Sequence, residues 1–272
     1  MKGKKTKEPG FRPHLVKSWE DSDTVNFAIA LARITGWLLQ VDWWTTSEED
    51  DTDADVVSLR VYVADDQQGV FDLRGKQKIT SFNNNVILPI AKKRAIGKGG
   101  VRTRFYSEEK LLTLPLRVKP DLEKVAQAEE AIRNNPDFLE KIPVRTPPFI
   151  PADHAGDYTY GRCAVYATAL HDLTQLPAKA IIAERYTDQF VNSRTGFAHS
   201  IVLHPNGLAE DAWGIQTLER ILARYGIERY RLSEEEHWGV NERLKKNSGA
   251  KYQEAYDLAI ALIKKYCLTP DN

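Results

Sequence analysis

The sequence predicts an α+β fold made of two tandem units, each a helix with an antiparallel sheet, which arose by internal duplication and pack together. Three observations lead to this prediction. The order helix, strand, long loop, hairpin occurs twice along the chain. Adding 139 to each residue number aligns Thr24–Gly75 with Cys163–Gly214 without a gap. Beyond each hairpin, Gly100–Lys110 and Gly226–Glu236 have similar sequences.

The first unit is predicted to span residues 14–119, after a basic and disordered tail at residues 1–13. Apolar residues at helical spacing predict a helix at Val25–Thr35, which Gly36 can end as a C-cap. A strand, an acidic loop and a two-stranded hairpin are predicted next, at Trp37–Trp44, Thr45–Asp55, and Val56–Ala64 with Val70–Leu73.

Residues 120–155 are predicted to connect the two units. Pro120–Lys141 has the pattern of an amphipathic helix that breaks at Asn134-Asn135-Pro136. The segment Ile142–Pro151 is rich in proline and is predicted to be extended. Before this connector, Ala91–Arg104 is predicted to be a solvated basic loop, because it lacks the G-x-x-x-x-G-K-[ST] spacing of a phosphate-binding loop.

The second unit is predicted to span residues 156–272. A helix beginning at Cys163 closes at Gln175-Leu176-Pro177, and the Asn206-Gly207 pair is a strong hairpin signal. Strands are predicted at Ala178–Ala183, Phe197–Leu203 and Leu208–Ala212. Helices are predicted at Ile215–Tyr225, after the cap residue Ser233, and at Ala250–Leu268.

Three residues of the second unit suggest nucleophilic catalysis. Cys163 lies at the start of a helix, where unpaired N–H groups and the helix dipole favour a thiolate. His199 lies on a strand, and the hairpin returns Asp211 close to it. A thiol needs a base, and the base needs an acceptor that fixes its tautomer. The sequence therefore predicts a catalytic Cys163–His199–Asp211 triad.

Each of these residues also has a purely structural interpretation. Cys163 can be a small buried hydrophobe, His199 a core histidine and Asp211 a residue flanking a turn. Two aromatic residues, Tyr160 and Trp213, are candidate substrate-binding residues. Trp213 can shield the His199–Asp211 pair from water or belong to the core.

This stretch resembles the papain-like superfamily and, within it, the transglutaminase-like branch, on the motifs Gly161-Arg162-Cys163 and Leu176-Pro177-Ala178, followed by His199 and Asp211. The resemblance implies a cysteine enzyme with a Cys-His-Asp triad. Two positions depart from the pattern. Asp157 occupies the place of the papain glutamine six residues before the cysteine, so the oxyanion donor is unassigned. Gln175 replaces the usual glycine before Leu-Pro.

The same offset of 139 residues shows which residues of the first half align with the three candidate catalytic residues. Thr24 aligns with Cys163, Arg60 with His199, and Asp72 with Asp211. Arginine stays protonated and cannot act as a general base. The first unit is therefore predicted to be a degenerate, non-catalytic repeat that shapes a substrate groove or binds a protein.

Composition narrows the function classes. Lys plus Arg and Asp plus Glu both number 38, which disfavours a nucleic-acid partner. The two distant cysteines form no disulfide framework, which suits a reducing, cytoplasmic compartment. Without a long apolar run, no membrane partner is expected. The histidines and Cys163 lack metal-ligand spacing, so no metal or other cofactor is predicted.

These observations leave two main hypotheses. The first is a cysteine acyl-transfer enzyme, preferably a hydrolase such as a peptidase or an amidase/deamidase, which acts on a protein or peptide substrate. The alternative is a non-catalytic protein-binding or adaptor module built from two papain-like repeats. The sequence does not determine the substrate or the oligomeric state.

Overall fold

The computed structural model describes residues 10–46, 56–95, 97–188 and 193–268. The chain divides into two compact units, unit 1 at Met1–Arg145 and unit 2 at Thr146–Asn272. Residues 1–9 of the predicted basic tail and residues 47–55 of the predicted acidic loop lie outside the described residues. The predicted connector at residues 120–155 contains the boundary between the units.

Unit 1 combines one five-stranded antiparallel sheet with helices. Its strands are β1 (Leu38–Thr45), β2 (Val56–Ala64), β3 (Gly69–Asp72), β4 (Gly75–Lys78) and β5 (Gly100–Tyr106). Its helices are α1 (Pro13–Asp21), α2 (Val25–Thr35), α3 (Ile79–Phe82), α4 (Leu88–Arg94), α5 (Glu108–Thr113), α6 (Leu122–Arg133) and α7 (Pro136–Leu139), with a π-helical turn at Asn83–Ile87.

Unit 2 also has a five-stranded antiparallel sheet. Its strands are β6 (Ala178–Tyr186), β7 (Gly196–Leu203), β8 (Ala209–Asp211), β9 (Gly214–Gln216) and β10 (Ile227–Ser233). Its helices are α8 (Ala152–Thr159), α9 (Cys163–Thr174), α10 (Leu218–Arg224) and α11 (Glu234–Tyr266). Mixed helices and antiparallel sheets confirm the predicted α+β class.

The two sheets have the same strand order. Unit 1 has the order β4-β3-β2-β1-β5, and unit 2 has β9-β8-β7-β6-β10. In unit 1, Asp42 pairs with Arg60, and the register shifts immediately after Asp42. In unit 2, Ile181 pairs with His199, and the register shifts immediately after Ile181. Adding 139 to the first pair gives the second, so the same offset relates both the pairing and the register shift.

The hairpin strands follow the same offset. Val63 pairs with Phe71 in unit 1, and Val202 pairs with Glu210 in unit 2. At the turn, Asp72 pairs with Gly75, and Asp211 pairs with Gly214. Because a one-residue slip would move every side chain to the other face of a sheet, equal registers place equivalent residues in equivalent environments.

Local sequence signals explain many of these elements. Helix α2 has the predicted bounds and ends at Gly36, whose φ of 71° is the left-handed conformation that favours glycine. Ser233 caps α11 by accepting a hydrogen bond from the Glu236 N–H at 3.1 Å. The β7–β8 hairpin turns at Gly207, also in the left-handed region.

The structure differs from the sequence predictions in four places. The helix predicted at Ile215–Tyr225 is shorter, since residues 214–216 pair with β8 as strand β9. The predicted basic loop Ala91–Arg104 includes the end of α4 and the start of β5. Helix α8, which begins directly after the proline-rich segment, was not predicted. The two predicted C-terminal helices form one long helix with non-helical dihedrals at Ser248.

Each unit has its own hydrophobic core. In unit 1 a buried cluster joins β2 and β3 to the helices after β4: Leu59, Tyr62, Ala64, Val70, Phe82, Val86, Ile87 and Ala91. In unit 2 an equivalent cluster joins β6, β7 and β8 to α10 and β10: Ile181, Ala183, Ile201, Ala209, Ile221, Leu222 and Ile227. Among the described residues, no helix has both the length and the apolar character needed to cross a bilayer.

Candidate active site

Cys163 is the first residue of α9 in unit 2. Gly161, with a φ of 118°, turns the chain just before the helix in a conformation that favours glycine. The Cys163 side chain is only 8% exposed, while Gly161 and Arg162 are exposed. The thiol therefore lies just beneath the surface, at the helix end where the first N–H groups lack intrahelical acceptors.

His199 lies on β7 and connects the thiol to a carboxylate. Its Nε2 is 3.0 Å from Oδ2 of Asp211, and both side chains are almost completely buried. An Nε2–H that donates to this carboxylate leaves Nδ1 to exchange a proton with the thiol. The thiol and the imidazole of Cys163 and His199 are hydrogen-bonded to each other. The fold thus brings the three predicted catalytic residues together.

The surroundings of the thiol favour the thiolate. Burial raises the pKa of Cys163, but the charge and hydrogen bond of His199 lower it, and so do hydrogen bonds from the N–H groups of Ser200 and Ala164. The pKa of Cys163 is lowered overall from 9.0. Burial lowers the pKa of His199, but Cys163 and Asp211 outweigh this effect and raise it to about 9. The protonated imidazole therefore stabilises the thiolate, and the thiolate stabilises the protonated imidazole.

Asp211 is held as a carboxylate by four donors. Besides His199, Oδ2 accepts a hydrogen bond from Nη1 of Arg224 at 2.5 Å. Oδ1 accepts hydrogen bonds from the Trp213 N–H at 2.9 Å and from Nε2 of Gln216 at 3.0 Å. Burial raises the pKa of Asp211, but Arg224 and His199 outweigh it and hold this pKa well below its usual range. Asp211 is therefore ionised and fixed in orientation.

Sequence reasoning missed three residues of this site: Gln216, Arg224 and Tyr225. Arg224 also donates from Nη2 to Oε1 of Gln216 at 3.2 Å, so these two side chains hold Asp211 together. The Tyr225 hydroxyl lies 2.9 Å from Nδ1 of His199. No local pattern marks Arg224, the last residue of α10, or Tyr225, its C-cap. For Gln216 a signal existed, because the offset of 139 residues aligns it with Gln77.

The two predicted substrate-binding residues have different environments. Trp213 is buried at the β8–β9 turn, and its backbone N–H donates to Asp211. Tyr160 is 67% exposed and lies at the C-cap of α8, three residues before Cys163. Tyr160 is thus accessible to a ligand from solvent, whereas Trp213 contributes to the support of Asp211.

A second buried polar group lies behind the site. Nδ1 of His237, on α11, is 3.1 Å from the hydroxyl of Ser200, whose N–H contacts the Cys163 thiol. The other ring nitrogen of His237 is 3.2 Å from the hydroxyl of Thr168 on α9. Burial lowers the pKa of His237 to about 4. His237 is therefore neutral at physiological pH and supports the strand residue next to His199.

Unit 1 has the same arrangement with different chemistry. Asp72 accepts hydrogen bonds from the Arg74 N–H at 2.8 Å and from Nε2 of Gln77 at 2.9 Å, the equivalents of the Trp213 and Gln216 contacts. Arg60, at the position of His199, lies 3.7 Å from Asp72. The Thr24 hydroxyl, at the position of Cys163, donates to the Val61 carbonyl at 2.5 Å. The carboxylate and its supports are present, but unit 1 has no thiol or imidazole at these positions.

Both cysteines of the chain are free thiols. Across residues 10–46, 56–95, 97–188 and 193–268, no group of three or more His, Cys, Asp or Glu side chains is placed to hold a metal ion. The chemistry that the site can perform with its own groups is thiolate attack assisted by imidazole.

Comparisons with protein-family models, curated proteins and solved structures found no match to this chain.

Proposed function

We propose that unit 2 is a cysteine hydrolase that cleaves an amide bond, in a peptide or a side-chain carboxamide, through Cys163, His199 and Asp211. The observation that supports this proposal is the buried hydrogen-bonded chain from thiol to imidazole to carboxylate. Burying charged groups costs free energy that hydrogen bonds and opposite charges must offset. Asp211 has four such donors, so the fold maintains an ionised carboxylate beside the buried imidazole. Perturbed pKa values at such a cluster are typical of functional sites.

The reaction follows from the positions of the protons. The Cys163 thiolate attacks the carbonyl carbon, a C–S bond forms, and the C=O π pair moves to oxygen. As the tetrahedral intermediate collapses, the C–N bond breaks and Nδ1–H of His199 protonates the leaving amine. Water then gives one proton to His199 while its oxygen bonds to the thioester carbon. The C–S bond breaks, which releases the acid and restores the Cys163 thiolate beside protonated His199. Asp211 keeps the imidazole oriented throughout.

We further propose that unit 2 belongs to the papain-like superfamily and that unit 1 is its degenerate duplicate. Support comes from the order of helix Cys163, strand His199 and hairpin Asp211, together with the shared strand order and registers of the two units. A crystal structure tests the duplication: Thr24–Gly75 should superpose on Cys163–Gly214 with the same strand pairs opposite one another. Different registers in the two sheets would contradict a common origin.

The first experiment on the proposed hydrolase is alkylation of the two cysteines by iodoacetamide as a function of pH. We expect Cys163 to react with an apparent pKa below 9.0, because His199 stabilises its thiolate. Cys267, the other cysteine of the chain, lies at the C-cap of α11 and gives a second alkylation rate for comparison. Mass spectrometry of tryptic peptides measures both rates in the same sample, and Cys163→Ser identifies the signal.

A non-catalytic adaptor is the alternative, and the Thr24 and Arg60 positions of unit 1 favour it for that half of the chain. An adaptor does not need an activated thiol. A Cys163 reaction that follows the pH dependence of a free thiol, at a rate no greater than that of Cys267, would favour the adaptor over the hydrolase.

A further inference from the structure

The hydroxyl of Tyr225 contacts the reacting atoms of the site. It lies 2.9 Å from Nδ1 of His199, the nitrogen that exchanges a proton with the thiol because Asp211 occupies Nε2. The negative charge of Cys163 also acts on this phenol and raises its pKa. The phenol and imidazole rings are 4.9 Å apart between centroids and tilted by 37°. Tyr225 therefore packs on the base, with its hydroxyl at the ring nitrogen that serves the thiol.

The Tyr225 phenol is protonated near neutral pH and can donate one hydrogen bond. Burial raises the pKa of its phenol far above the usual 10.0, although the charge of Arg224 lowers it, and the negative charges of Asp211 and Cys163 raise it further. The hydroxyl has one proton to donate. When Nδ1 is unprotonated it can accept this hydrogen bond, and when Nδ1 is protonated the thiolate is the acceptor that remains.

The position of Tyr225 is fixed by its neighbours. The guanidinium of Arg224 lies 5.9 Å from the centre of the phenol ring and is itself anchored on Asp211 and Gln216. On the other side, Gly226 has a φ of 63° and leads directly into β10. A donor that is fixed before the reaction needs no reorganisation when charge develops next to it.

The proposed reaction lacks one donor that Tyr225 can supply. The tetrahedral intermediate carries a negative oxygen, for which the Cys163 N–H at the start of α9 is one donor. The N–H groups of Ser200 and Ala164 are bonded to the sulfur itself, so the Tyr225 O–H beside the base is a further donor that the carbonyl oxygen can use.

We propose that Tyr225 is a further catalytic residue, whose phenol O–H stabilises the Cys163 thiolate and then the carbonyl oxygen of the tetrahedral intermediate. This inference rests on the proposed hydrolase function. As the C–S bond forms, negative charge moves from sulfur to the carbonyl oxygen. The Tyr225 O–H then donates its hydrogen bond to this oxygen instead of to the sulfur. The phenol keeps its proton, because burial holds its pKa far above the usual 10.0. The leaving group still takes its proton from His199.

Two reagents separate this role from a structural one. Acylation of Cys163 by p-nitrophenyl acetate passes through an oxyanion, whereas alkylation by iodoacetamide is a direct displacement that forms none. p-Nitrophenolate also leaves without a proton from His199. For Tyr225→Phe we expect the acylation rate constant to fall by about a hundredfold, the usual effect of removing one oxyanion donor. Alkylation is measured above the pH midpoint of Cys163, where the thiolate is already fully formed, and its rate should fall far less because no oxyanion arises.

The matched control is Tyr256→Phe, which removes a phenol hydroxyl that bonds Asp172 instead, at 2.7 Å. This variant should acylate and alkylate like the wild type. Equal losses in both reactions of Tyr225→Phe, no loss in either, or faster reactions would overturn the role of Tyr225 while leaving the hydrolase in place. A wild-type protein that neither acylates at Cys163 nor alkylates there with a lowered pKa would overturn both proposals.

Discussion

In His199→Ala, iodoacetamide should alkylate Cys163 about a hundredfold more slowly at pH 7 than in the wild type. Without the imidazole, burial is the largest influence on the thiol, and burial raises its pKa above the ordinary 9.0. A thiol with a pKa of 9 is only about 1% ionised at pH 7, and the thiolate is the nucleophile. The measurement is the alkylation rate from pH 5 to 10, whose midpoint should move upwards.

The matched control for this variant is His204→Ala. His204 lies in the β7–β8 turn, where its Nε2 is 2.8 Å from Glu210, and it does not contact Cys163. Its loss should leave the alkylation rate and its pH midpoint unchanged. A His199→Ala protein that keeps both the wild-type rate and midpoint, with an intact circular dichroism spectrum, would rule out an activated Cys–His pair.

Asp211→Ala should lower the free energy of unfolding by about 3–5 kcal/mol, the usual result of removing one partner of a buried ion pair. The Arg224 side chain is 3% exposed, so its charge loses a buried counter-ion. Nε2 of His199 and Nε2 of Gln216 lose their acceptor in the same step. The midpoint of urea unfolding measures the effect.

A double variant tests the cause of this loss. Asp211→Ala with Arg224→Met removes the orphaned charge and keeps a side chain of similar length. We expect it to recover more than about 1 kcal/mol relative to Asp211→Ala alone, because coupled partners are not additive. Simple additivity of the two substitutions, or a loss below about 1 kcal/mol for Asp211→Ala, would show that this carboxylate is not a major support of unit 2.

The same carboxylate makes stability depend on pH in the acid range. The pKa of Asp211 is lower in the folded protein than its ordinary value of 3.8, so the unfolded chain binds more protons between the two values. Its contribution is therefore fully present above about pH 4. It is lost as the pH falls through the folded-state pKa. Urea unfolding at pH 2.5–5 should show this acid limb in the wild type and a shallower one in Asp211→Ala.

Local patterns were sufficient for elements whose signals lie close together in the chain. The apolar periodicity of Val25–Thr35 and the Gly36 stop predicted α2 with its observed bounds, since both signals lie within one helix. The Asn206-Gly207 turn predicted the β7–β8 hairpin for the same reason. Once α9, β7 and this hairpin are in place, the chain order alone brings Asp211 to His199.

Prediction failed where hydrogen bonds from another strand decide the structure. Residues 214–216 continue the apolar spacing of a helix, yet they pair with β8 across a tight turn at Gly214, whose φ is 102°. Helix α10 therefore begins only at Leu218, capped by the Thr217 hydroxyl. Ladder pairing is a tertiary interaction, which helical periodicity does not encode.

The sequence by itself determined the α+β class and the positions of Cys163, His199 and Asp211 on their elements. It also determined that the same order of elements occurs in both halves. Only the tertiary structure decided which side chains surround them. Arg224 and Tyr225 reach Asp211 and His199 because α10 returns the chain to the sheet before β10, and nothing in their local sequence indicates this. Local patterns specify backbone conformation, whereas the partners of a buried charge depend on how distant segments pack.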